Sequence, residues 1–317
     1  MDHLAPCSLD SLKDAAKRLK NGGLVAFPTE TVYGLGVDAE NEAAIARMYE
    51  VKGRPKDHPV IVHISDQNQV AYWAEEVPEY AITLTRKFWP GPMTLILKRS
   101  ERAKDFITGG QDFVGLRIPS NPIALNLLNE FESLGGHGVA APSANRFGSV
   151  SPTSASDVRD EISEYLESGD LILDGGTCEV GVESTIIDCS RELPRILRLG
   201  AVTEAMIETV TPIDADSDLE EIRVSGSLTR HYSPRAKVVA DREAESGEGL
   251  IALSDIPTPN GSIRLSSPNS IEDFARSLYS AFRKGDSEGL KIIVVTPPRG
   301  DGLAAAIRDR IMRASAH

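Results

Sequence analysis

Cysteine is scarce in this chain. Cys7, Cys178 and Cys189 are its only three in 317 residues, and none forms a C-x-x-C pair. That excludes a disulfide framework and argues against a structural zinc site. Long apolar runs are missing too: stretches such as 292–295 fall far short of the roughly 20 residues that cross a bilayer. The opening MDHLAPCSLD carries acids and no apolar stretch, so it does not read as a secretory signal. No Gly-Lys dipeptide occurs, which removes a Walker A phosphate loop. Positive charge is in deficit, with 34 Lys and Arg against 47 Asp and Glu, a formal charge of −13. A surface of that sign is unsuited to coating nucleic acid or anionic membrane. The expectation is a reduced, soluble, cytoplasmic protein with no membrane partner.

What is present points to two domains, since single cores seldom grow beyond about 250–300 residues. Hydrophobic content of 41% and charged content of 26% are those of a folded globular chain. The charge is unevenly placed. Residues 1–211 hold 20 bases and 31 acids, yet the stretch 43–117 within them holds 11 bases and 9 acids. Positive charge in the first domain is therefore gathered in one stretch, and the acidic remainder reads as solubilising surface.

Up to residue 211 the pattern alternates. Helical spacing appears at 9–19, 42–51, 81–88, 123–132 and 154–166, and short apolar runs read as strands at 24–27, 59–64, 94–97, 115–118, 138–141, 170–173 and 184–188. Such alternation indicates an α/β domain, without requiring an all-parallel sheet. Residues 212–221 carry five acids and no base and read as a solvated linker. A second β/α pattern follows: strands at 238–240, 250–253 and 291–295, helices at 271–283 and 303–314.

Four segments carry candidate chemistry. In "FPTETVYGLGVDA", Gly34, Gly36 and Ala39 match a dinucleotide fingerprint as a bare pattern, but residues 28–33 separate them from the preceding strand. The fingerprint needs its first glycine directly after that strand, so a nicotinamide site is rejected. In "KGRPKDHPVIVHI", Lys52, Arg54 and Lys56 precede His58 and His63, with Pro55 and Pro59 stiffening the loop. Converging cations in a stiff loop suit a polyphosphate; a solvated loop ahead of a core strand would carry the same residues. "GVAAPSANRFGSVSPT" presents Ser143 and Asn145 after Ala141, with 151–153 resembling a helix cap. "DGGTCEVGVESTIID" places glycines ahead of Ser184, either for close approach to a ligand or as a plain turn. Arg117 and Arg198 sit at strand or loop ends. No Ser-His-Asp triad is discernible.

Taken in order, "GGLVAFPTETVYGLG", "KGRPKDHPVIVHI", "APSAN" with "SPT", and "GVESTIID" resemble the YrdC-like family, whose K-x-R…S-x-N constellation is met by Lys52, Arg54, Ser143 and Asn145. "HYSP" and "GLAAAIRDRIMRAS" resemble its long, two-domain form, so the likeness runs from about residue 9 to 315. Two departures stand out. Where that form often reads S-P-G-M-K, this chain has Val224-Ser225-Gly226-Ser227-Leu228, leaving Arg230, His231 or Tyr232 for any linker contact to phosphate. Leu199 follows Arg198 where proline is common.

The resemblance implies a YrdC-like twisted mixed sheet with helices over 1–211, a linker or lid at 212–236, and a Rossmann-like α/β domain at 237–317. It implies an enzyme condensing L-threonine, bicarbonate and ATP to threonylcarbamoyl-adenylate and pyrophosphate, with Mg²⁺ accompanying ATP and no protein-ligated metal. The product would feed threonylcarbamoyladenosine formation in tRNA through downstream transfer machinery; the net charge of −13 argues against a direct hold on the tRNA itself. Carried over residue by residue, Thr31, His63, Arg117, Ala141 and Ser184 would line the threonine pocket. Arg54, His58, Ser143, Ser151, Arg198 and Tyr232 would contact ATP, with Lys52 and Asn145 completing the constellation. Two rival classes are a non-catalytic RNA-binding module of this fold, which the charge disfavours, and a hydrogenase-maturation carbamoyltransferase domain, which would normally bring zinc-finger cysteines.

Overall fold

The computed structural model describes residues 3–214, 222–226 and 231–316. Its strands, in chain order, are β1 Leu4–Pro6, β2 Val25–Pro28, β3 Tyr33–Asp38, β4 Ile61–His63, β5 Met93–Lys98, β6 Phe113–Arg117, β7 Val139–Ala140, β8 Leu171–Asp174, β9 Thr185–Asp188 and β10 Arg195–Arg198. These form one sheet in the order β1-β8-β2-β3-β7-β4-β6-β5-β9-β10. β4 runs parallel to β6 and β5 to β9, whereas β2 with β3 and β5 with β6 are antiparallel. The sheet is mixed, as expected.

Side-chain alternation along the central strands feeds both faces. Val25 and Phe27 point into a core shared with helices Leu9–Lys20 and Pro122–Ser133, while Leu24 and Ala26 point into the larger core under helices Glu42–Lys52 and Glu79–Phe88. Helix Ala155–Ile162 joins the larger core. Its N-cap is Ser154, one residue beyond the expected 151–153 cap, and the Asp157 carboxylate closes a reciprocal capping box.

β3 was not expected. The Gly-rich segment around Gly34 and Gly36 has low intrinsic strand preference, and its pairing with β2 and β7 decides the matter. Gly36 is there for space: a Cβ would meet Phe27 at 2.7 Å and Val139 at 2.8 Å. Gly36→Ala should therefore lower unfolding free energy by about 1–3 kcal/mol in denaturant titration. An unchanged midpoint would show that the sheet yields at that point.

The second domain has a parallel sheet, β11 Lys237–Ala240, β12 Gly249–Ile251, β13 Ile263–Ser266 and β14 Ile292–Val295, in the order β11-β14-β12-β13. Helices Ile271–Ser287 and Leu303–Ser315 pack with it. β13, half-exposed at the edge, carries too little apolar signal to be read from sequence. The core of this domain also takes in Val32, Val150 and Val182 of the first domain. Between the domains, Ile222 and Val224 seat on Ile96 and Ile186 of the first sheet. No helix among the described residues is long and apolar enough to cross a membrane.

Candidate active site

Where the turn after β2, the loops before β4 and after β7, the start of β9 and the later part of the linker converge, they form a cleft. Thr31, Lys52, Arg54, His63, Arg117, Ala141, Ser143, Asn145, Ser184, Arg198 and Tyr232 line it together. The other two expected residues stand behind the wall. His58 is half-buried and packs edge-on against cleft-lining Phe147 at 5.4 Å. Ser151 is buried and donates to Glu183 at 2.6 Å. Lys56 is exposed and does not line the cleft, and Arg230 lies outside the described residues.

One end of the cleft is built on a hydroxyl-centred turn. Thr29 Oγ1 donates to the Val32 carbonyl at 2.7 Å and accepts from the Thr31 and Val32 amides, which fixes Thr31 at the turn. Arg117, at the end of β6, donates to Thr31 Oγ1 at 3.0 Å and lies 2.7 Å from the Glu30 carboxylate. Glu30 Oε2 also accepts from the Ser120 amide. Glu30 escaped sequence reading because a lone acid between two threonines looks like loop polarity. Its burial and ion pair make it the residue that orients Arg117.

The other end is cationic. Lys52, in the last turn of helix Glu42–Lys52, donates from Nζ to the carbonyls of Ser143 and Asn145, both at 2.5 Å. An ammonium has three donors, so one remains for the cleft. Burial first, and then Arg54, push the lysine well below its usual range. Arg54 donates to the Pro59 carbonyl at 2.7 Å and to Ser225 Oγ at 3.1 Å. Arg198 grips Ser184 through its carbonyl and hydroxyl, both at 3.0 Å, and reaches the Ser225 carbonyl at 2.8 Å. Arg54 Nε, Arg117 Nε, His63 Nδ1, Asn145 Oδ1 and Tyr232 Oη are buried without a hydrogen-bond partner among the described residues. Such atoms are costly unless a ligand engages them.

Tyr232 takes a left-handed backbone conformation, φ 60°, and is buried. Gly226, φ 82°, passes so close that a Cβ there would sit 2.2 Å from the phenol oxygen. Glu183 lines the cleft beside Ser184 and is another residue the sequence did not mark. Burial alone would raise its carboxyl, but Arg310, then Arg198, and the Ser151 hydrogen bond hold it at about 2.

Both cleft histidines are held at about 3, chiefly by burial. Arg117 adds to this for His63; for His231, Glu183 opposes burial, and Arg54, Lys52 and Arg198 act with it. Each imidazole is neutral in the folded protein at working pH. Unfolded histidine takes up a proton below about 6.5, so the unfolded state binds more protons from there down to about 3. Stability should fall as pH falls through that window. His63→Asn should flatten the acid-side loss in melting experiments, and an unaltered pH profile would contradict the buried neutral ring.

This combination of buried cations, hydroxyls and a neutral imidazole suits holding anions in place more than moving protons. The acidic remainder of the domain is only partly surface, since Asp170 and Asp188 are buried against Arg47 and Arg191. Among the described residues no cluster of three or more His, Cys, Asp or Glu is placed to hold a metal ion.

A family model described as telomere recombination matches residues 17–200, and one described as threonylcarbamoyl-AMP synthase, C-terminal domain, matches residues 202–316. The threonylcarbamoyl-AMP synthase of Pyrococcus abyssi is 38% identical over 327 aligned residues, covering 96% of this chain and 94% of that protein. That of Bacillus subtilis is 36% identical, covering 96% and 92%. The crystal structure of P. abyssi Sua5 complexed with L-threonine superposes with a TM-score of 0.87 at 35% identity, over 98% of this chain and 96% of that one. Matched in both halves and along nearly its whole length, the chain belongs to the two-domain threonylcarbamoyl-AMP synthases.

Proposed function

We propose that the cleft condenses L-threonine, bicarbonate and ATP to threonylcarbamoyl-AMP and pyrophosphate. The observation that carries this reading is the pairing, in one cleft, of a hydroxyl- and Arg117-lined end with a Lys52, Arg54 and Arg198 end. The threonine amine and bicarbonate give a carbamate and water. A carbamate oxygen then bonds the α-phosphorus as the bond to the pyrophosphate leaving group breaks. The carbamate is already an anion, so this step needs no general base. It needs two mutually repelling anions held in line, which is work for fixed positive charge and positioning.

In this reading Arg117, held by Glu30, grips the threonine carboxylate, with Thr31, His63, Ala141 and Ser184 around the rest of the amino acid. Arg54, Ser143 and Arg198 face the nucleotide, with Tyr232 closing that end; Lys52 and Asn145 shape the loop between. His58 and Ser151 act from behind through Phe147 and Glu183. A divalent ion, Mg²⁺, would arrive on the triphosphate and neutralise part of its charge. The cleft fits an ion carried by the nucleotide: its lining offers cations and hydroxyls, and its carboxylate Glu183 is already paired with Arg310.

We place the catalytic unit at 1–211, the linker or lid at 212–236 and the second domain at 237–317. The product is a mixed anhydride of a carbamic and a phosphoric acid, fit to acylate an amine, in keeping with a cytoplasmic supplier of the tRNA-modifying machinery. With purified protein, pyrophosphate release should require ATP, threonine and bicarbonate together. Release that persists when threonine or bicarbonate is omitted would reject the reading, and retention of RNA without turnover would favour the binding-module alternative.

A further inference from the structure

Arg310 lies on helix Leu303–Ser315 of the second domain and has no exposed surface, an expensive place for a guanidinium unless its donors are satisfied. They are satisfied by groups around the cleft. Nε donates to Glu183 Oε2 at 2.8 Å, Nη2 to the Leu199 carbonyl at 2.8 Å, and Nη1 to its neighbour Asp309. The guanidinium also lies 5.1 Å from the centre of the Tyr232 ring. Glu183 in turn accepts from Ser151 Oγ at 2.6 Å and from Tyr279 Oη at 2.8 Å.

We propose that Arg310 is a positioning residue for the nucleotide half of the site, supplied by the second domain. This rests on the synthase reading above. One side chain fixes the carboxylate that orients Ser151, the carbonyl directly after Arg198, and the ring of Tyr232. Three of the six residues expected at ATP therefore depend on it, Ser151 from behind the wall. The threonine end depends on it least: Arg117 is held by Glu30, and Ser184 keeps its 2.8 Å hydroxyl contact with Thr94. A lysine cannot take over, because an ammonium lacks the planar fork that reaches Glu183 and Leu199 together.

The test uses the full chain and calorimetric affinities for ATP and for L-threonine, measured separately, alongside melting and pyrophosphate release. Arg310→Met is expected to weaken ATP binding by about tenfold or more, the loss of hydrogen bonds to a charged group. Threonine affinity should stay within about threefold of the parent, a split that general loosening would not produce. Arg310→Lys should recover melting more than ATP affinity. Should both variants fail to fold, Tyr279→Phe removes a single bond to Glu183 and should weaken ATP by about threefold with threonine unchanged. A folded Arg310 variant binding ATP within twofold of the parent overturns the proposal, as does equal loss of both ligands in any of the three. A parent that binds ATP yet releases no threonine-dependent pyrophosphate would reject the synthase reading instead, while the affinities still decide the role of Arg310.

Discussion

Arg54→Ala is expected to cut pyrophosphate release by about 10²–10³-fold, the usual loss when one fixed charge-stabilising donor is removed from a water-poor site. Melting should hardly move, for a structural reason. The Pro59 carbonyl that Arg54 bonds also accepts from Ser225 Oγ at 3.1 Å, so no buried acceptor is orphaned. Burial opposes the charge on Arg54, so its removal relieves a desolvation cost. Lys52→Ala should inactivate comparably but also destabilise. The carbonyls of Ser143 and Asn145 would lose their shared donor, about 1–3 kcal/mol for buried groups left unpaired. Steady-state release and thermal melting on both variants check the contrast. Turnover of Arg54→Ala within threefold of the parent would remove Arg54 from the reacting end.

Truncation after residue 211 should reduce activity by at least about 10²-fold and abolish tight ATP binding, as expected where several cooperating contacts are lost together. The cut removes Ser225, which bridges Arg54 and Arg198, and Tyr232 from the cleft wall. It also uncovers Val32, Val150 and Val182, now buried with Phe274 and Leu278 of the second domain. Glu183 would lose both Arg310 and Tyr279. The truncated chain should therefore bind a hydrophobic dye and melt lower as well as turn over slowly. Parental ATP affinity in a folded truncation would show that the linker and second domain are not part of the site.

Much of the cleft was legible because its residues sit in short segments with chemical character. Lys52 and Arg54 stand two apart before a stiff loop, and Ser143 and Asn145 follow a strand of small residues. Glu30 and Glu183 were not legible. Each lies next to a recognised residue, Thr31 or Ser184, but its partner is distant in sequence: Arg117 for one, Arg310 for the other. An acid looks like surface until its counter-ion is placed beside it. The same limit hid β3, whose glycines suit close packing against Phe27 better than any local strand preference. Helix Ile271–Ser287, by contrast, was legible because its apolar stripe repeats locally, and only its last turn was missed.

Ser225 has a consequence for which anions can enter. Its carbonyl and hydroxyl already occupy one donor each of Arg198 and Arg54, so the two guanidiniums are never bare. A lone inorganic phosphate or sulfate reaching one of them would have to compete with Ser225 for a donor. A triphosphate long enough to reach both would make its second contact at the high local concentration set by the first. On the proposed function, the segment would thus favour a multivalent anion over small ones.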